Sequence, residues 1–198
     1  INPRHPAITD IFSTLARRHL LGKSFDQAAD AAARALLVAP NNFQGWLDLA
    51  VCDDARGITQ GMVARMARVA VLAPEDPHYD YWRHLALPAV LGSRNDIAYW
   101  RSRYRSGLEA LRNRPGLIRD PSRLLYSGYF FLAYHGLDDK PLIEALGKLL
   151  RAKVPALGHI SPHLQGWRPP AGGERRIRIA ILSNFLHGHT IGQLYRGL

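Results

Sequence analysis

The first half of the chain repeats one arrangement of apolar and polar positions. The stretch 34-RALLVAPNN-42 overlays on 68-RVAVLAPED-76: arginine, the Ala-Pro pair and the apolar positions between them fall in register, with Pro40 and Pro74 thirty-four residues apart. Working back from each proline, the first unit offers Phe12, Leu15, Ala16, Ala28, Ala32 and Ala35, and the second offers Trp46, Leu49, Ala50, Met62, Met66 and Val69. Small residues at such positions let paired helices approach and bulky ones fill the groove, while the proline stops the second helix because it has no N–H to donate. A third unit is suggested over 79–104, with Trp82 displaced from the register and Pro88 interrupting the apolar run.

A period of this length predicts stacked helix pairs of the tetratricopeptide kind over 1–106. A helical domain is expected over 107–157. There Asp120-Pro121-Ser122 reads as a helix start, and the residues after it as a helix that is apolar nearly all round, with Leu124, Leu125, Tyr129, Phe130 and Leu132, and therefore deeply buried. Gly136 stops that helix. Asp138 or Asp139 should cap the next one, whose Leu142, Leu146, Leu149 and Leu150 form one stripe. His135, beside the turn, reads as a capping or hydrogen-bonded residue. The Gly/Pro-rich stretch 158–174 reads as a linker.

The pattern changes once more at the end, over 175–198. Ile177, Ile179, Ile181 and Leu182 make the dense branched-apolar run of a buried strand, followed by a Gly/His/Thr turn and the start of a helix. A lone strand cannot satisfy its own N–H and C=O groups. The expectation is therefore a mainly α chain that ends in the first strand, turn and helix of a truncated α/β lobe. An initial Ile in place of Met points the same way.

Composition narrows the function classes. The 198 residues are 47% hydrophobic and 21% charged, a globular balance, and no window reaches the ~18 uninterrupted apolar residues of a membrane span. No membrane partner is expected. With Cys52 as the single cysteine, set among Leu49, Ala50 and Val51, no internal disulfide can form; a core thiol and a cytoplasmic setting are expected. The formal charge of +10 suits nucleic acid, an acidic segment or a phosphate-bearing ligand. No nucleic-acid motif accompanies it, and 100-WRSRYRSGLEALRNRPGLIRDPSR-123, where Arg101 and Arg105 share a helical face, reads as a solvated surface.

Candidate chemistry gathers in the histidines. His159 and His163 are four apart and His187 and His189 two apart, but Pro162 interrupts the first pair and no acidic or cysteine ligand joins either, so no metal is expected. A turn of Gly188, His189 and Thr190 before a helix, beyond the carboxyl end of a strand, offers exposed amides and an imidazole that exchanges protons near neutral pH.

Helical repeats, then "YFFLAYHGLDDKPL", then a linker and "RIRIAILSNFLHGHTIGQLYRGL" resemble the O-linked N-acetylglucosamine transferase family, and within it the tail is closest to the bacterial N-glucosyltransferase branch. The resemblance implies a metal-independent, inverting GT-B enzyme that takes a uridine diphosphate sugar (UDP-sugar) as donor substrate, needs no further cofactor, and uses its repeats to bind an acceptor protein or peptide. It places His189 at the catalytic cleft, at times as general base, with Gly188 and Thr190 beside the donor. A chain ending at Leu198 would lack the second lobe and is expected to be inactive alone. The alternative is a stand-alone repeat scaffold for protein–protein interaction.

Overall fold

The computed structural model describes residues 6–124, 127–166, 168 and 183–195, and the chain divides into two compact units, Ile1–His159 and Ile160–Leu198. Among the described residues the fold is mainly helical, with no strand. The predicted strand over 177–182 lies outside the described residues.

The first unit opens with α1 (Pro6–Leu21), α2 (Phe25–Val38), α3 (Phe43–Ala55) and α4 (Thr59–Leu72). The thirty-four-residue offset in the sequence is an offset in structure too, since Leu21 and Val38 end the first helix pair where Ala55 and Leu72 end the second. Burial follows the same register. Ala16 and Ala50, Ala28 and Met62, Ala32 and Met66, and Ala35 and Val69 are all buried at equivalent positions. The first pair closes on alanines, the second on methionines and valine, so α1 and α2 share a thin core with Leu49 while α3 and α4 have a thicker one. Asn42 caps α3 by accepting the Gly45 N–H at 2.6 Å.

The third pair is less regular, and Pro88 is the reason. Helix α5 (His78–Leu85) stops short of it, residues 86–92 cross without helix, and Ser93 then caps α6 (Arg94–Asn113) through the Asp96 N–H at 3.1 Å. The expected division at 106/107 falls inside α6, whose Trp100, Tyr104, Leu108 and Leu111 share one core with Leu142, Leu146 and Leu149 of α7 (Lys140–Lys153).

Between α6 and α7 the structure departs from the expected buried α-helix. Pro121–Leu124 and Ser127–His135 are 3₁₀ segments, and Tyr129, Phe130 and Tyr134 are exposed. Side chains three apart line up in a 3₁₀ segment, and Leu132 and His135 face inward together; Phe131 is half-buried against the same core, while Phe130 and Tyr134 face out. Asp120 does start this region as the sequence suggests, but it caps a 3₁₀ turn, accepting the Ser122 N–H at 3.0 Å and its hydroxyl at 2.6 Å. The second unit contains a 3₁₀ turn at Pro162–Leu164 and the short helix α8 (Thr190–Leu194).

Candidate functional site

The expected site residues lie in the turn that enters α8. Ser183 accepts the Phe185 N–H at 3.1 Å, which fixes the first bend. His189 occupies the N-cap position in an extended conformation, and its Nδ1 accepts the Ile191 N–H at 3.3 Å. The Phe185 ring lies 4.6 Å from the His189 ring at an interplanar angle of 35°, so one face of the imidazole is covered, and the His187 ring is 6.2 Å away. Gly192 lets the turn lie directly on the helix. A methyl group there would meet the backbone oxygens of Phe185 and His187. This close approach was missed in the sequence; a glycine inside a five-residue helix is the signal for it.

The cap determines what His189 can do. A neutral imidazole that accepts at Nδ1 carries its proton at Nε2, so in this geometry His189 is a hydrogen-bond donor at Nε2. It can bind an anionic or carbonyl oxygen directly. To take up a proton it would have to release the Ile191 N–H. Gly188 and Thr190 flank it, both exposed, and a side chain at Gly188 would meet nothing within 4 Å, so the backbone there is bare to an incoming group. His159 and His163 are exposed in the 3₁₀ region, and no group of three or more His, Cys, Asp or Glu that could hold a metal ion occurs among the described residues.

Several polar residues of the first unit are engaged in joints. Arg101 is buried, not solvated: its guanidinium pairs with the Asp139 carboxylate and donates to the Asp138 carbonyl. The two aspartates divide their work: Asp138 accepts the Lys140 N–H at 3.0 Å in the turn that leads into α7, while Asp139, at the N-cap position without a side-chain cap bond, holds Arg101. His135 is neither a cap nor hydrogen-bonded. Both ring nitrogens are buried without a partner, and burial, then Arg101, lowers its pKa, so the neutral ring is favoured. His78 is buried with Nδ1 2.6 Å from Asp76 Oδ1 and Nε2 3.0 Å from the Asp120 carbonyl, tying the turn before α5 to the connector after α6. The Cys52 thiol is fully buried, and burial followed by Asp48 raises its pKa, which suits the expected inert core thiol.

No protein-family model matches this chain, and no curated protein or solved structure does either. Among the described residues no helix is long and apolar enough to cross a membrane.

Proposed function

We propose that the chain is the amino-terminal part of a protein glycosyltransferase, moving a sugar from a UDP-sugar to a side chain of an acceptor protein in the cytoplasm. The observation that carries the reading is the exposed Gly188-His189-Thr190 turn, in which the cap leaves His189 Nε2 as a donor. In sugar transfer the departing diphosphate gains negative charge, and a fixed donor beside it lowers the barrier. His189 takes that donor role here, with Gly188 letting the nucleotide approach the backbone and Thr190 adding a hydroxyl. The helix pairs α1–α4 act as tetratricopeptide-like repeats that hold the acceptor. The reading requires the remainder of a GT-B enzyme, including its second lobe, beyond Leu198.

The test is to express the protein with the full continuation of its reading frame and measure label transfer from UDP-glucose and UDP-N-acetylglucosamine to a peptide library. Transfer is expected from the longer protein and none from the 198-residue chain. His189→Ala should lower kcat by about a hundredfold, the size of effect typical for one lost transition-state donor. Absence of transfer from the longer protein would leave the scaffold reading, which the repeated helix pairs favour on their own. Turnover by the 198-residue chain would overturn the expected dependence on a second lobe.

A further inference from the structure

The pairs α1–α2 and α3–α4 close on the same turn but fill it with different residues. In the second pair the Gly57 N–H donates to the Asp54 carbonyl at 3.0 Å and the Ile58 N–H to the Asp53 carbonyl at 2.8 Å. At the equivalent place in the first, the Lys23 N–H donates to the Leu20 carbonyl at 3.0 Å and the Ser24 N–H to the His19 carbonyl at 2.9 Å. This double closure of a helix end sets one residue in the left-handed region, where glycine is the usual occupant. Gly57 stands there with φ 73°, and its counterpart is Lys23 with φ 55°, the only non-glycine residue of positive φ among the described residues.

The local fold gives no reason for the lysine. A cation at a helix C-terminus meets the negative end of the dipole, but α3 carries Asp53 and Asp54 where α1 carries His19 and Leu20, so the turn forms without positive charge. Among the described residues the Lys23 ammonium and the Arg18 guanidinium have no ion-pair or hydrogen-bond partner, and both residues are exposed. Leu21, three residues after Arg18 on the same edge of α1, is 87% exposed. The acids nearby are already matched: Asp26 pairs with Arg56 at 3.0 Å, and Arg17 acts on the buried Asp48. Backbone held out of its preferred region to present a free cation, beside a second cation and a bare leucine, marks a place of contact.

We infer that the closing turn of the first helix pair docks an acidic peptide segment, with carboxylates at Lys23 and Arg18 and an apolar side chain over Leu21. Charge complementarity selects the acid, and the leucine selects a peptide over single-stranded nucleic acid, which stacks its bases on aromatic rings. The inference is independent of sugar transfer, being read from α1 and α2 alone.

Fluorescence anisotropy of the 198-residue chain with a labelled peptide of repeated Glu-Leu-Glu-Gly, and with its Gln-Leu-Gln-Gly counterpart, tests it. Saturable binding of the acidic peptide is expected, weakening as salt is raised, with none of the glutamine peptide. Lys23→Gly installs the residue of the second pair, so it should raise the urea midpoint and yet weaken the acidic peptide, two shifts of opposite sense that a merely structural lysine would not give. Lys23→Gly and Arg18→Gln should each weaken binding by about two- to fivefold, the range of an exposed ion pair. Arg105→Gln and Arg112→Gln, exposed on α6, should leave it unchanged. No saturable binding, equal binding of the glutamine peptide, unchanged affinity in Lys23→Gly and Arg18→Gln, or an equal loss in the α6 variants would overturn the proposal. So would binding of oligothymidylate, lost in Lys23→Gly, without a peptide signal, which would make the turn a nucleic-acid contact.

Discussion

Gly107 of α6 packs directly on the backbone of His84 in α5: a methyl group in its place would stand 2.6 Å from the His84 carbonyl oxygen and 3.1 Å from the carbonyl carbon. Backbone cannot swing aside as a side-chain end does, so the two helices cross at a distance that only glycine permits. Gly107→Ala should destabilise the first unit by about 1–3 kcal/mol through overpacking, in spite of a gain of up to about 1 kcal/mol in helix propensity. Urea unfolding of the variant decides between the two effects; an increase in midpoint would show that the helices can part without cost.

The same His84 makes stability depend on acid. Burial, with Arg83 and Arg103 adding repulsion, lowers its pKa from 6.5 to about 4. The folded chain thus binds this proton less readily than the unfolded chain. The contribution to stability is complete above pH 6.5 and is lost as pH falls toward about 4. His84→Gln should flatten the decline of the urea midpoint over that window, leaving a residual slope from His135, whose pKa is lowered in the same direction. An unchanged slope would remove His84 as the titrating group.

Asp48 of α3 is buried, with Oδ1 accepting from Gln44 Nε2 at 2.6 Å and Oδ2 lacking a hydrogen-bond partner. Burial raises its pKa against the opposing pull of Gln44 and Arg17. For a raised carboxyl, the favourable contribution is complete at low pH and is lost as pH rises through the folded value. Asp48→Asn keeps the acceptor for Gln44 and removes the buried charge, so it should stabilise the chain at neutral pH by about 1 kcal/mol. The gain should shrink on acidification. Destabilisation at neutral pH would show that Arg17 outweighs desolvation.

Arg101 and Asp139 bridge α6 to the residue just before α7, with side chains 11% and 24% exposed. Removing one partner leaves the other charge poorly solvated. Arg101→Met should cost about 3 kcal/mol. Adding Asp139→Leu should recover part of that loss, giving a clear coupling in a double-mutant cycle by urea unfolding. Strict additivity would mean that the pair does not act as a unit.

The helix pairs were legible because their signal is periodic and local: nine of the twelve positions expected to pack across the repeats, Ala16 and Met62 among them, are buried. Leu15, at 39% exposure, lacks the neighbours its equivalent Leu49 has. The sequence after Asp120 suggests a buried α-helix because hydrophobicity alone does not distinguish a period of 3.6 from one of 3. Local pattern places Arg101 in solvent because its partner, Asp139, is thirty-eight residues away, and such pairings leave no trace in neighbouring sequence. At the candidate site the Gly188-His189-Thr190 turn could be found in the sequence, whereas the Nδ1 cap and the Phe185 contact depend on how the turn closes.

Around α5 and α6 several cations grip oxygens of the chain itself. Arg103 holds the carbonyls of Arg83, His84 and Ala86; Arg114 holds Asp80 and the Pro74 carbonyl; Lys153 holds the Arg114 carbonyl. A high isoelectric point is commonly read as adhesiveness toward polyanions, but here a good part of it is mortar. Neutralising arginines one after another in search of a docking face would loosen masonry first, and weakened adhesion in those variants would report collapse of the wall.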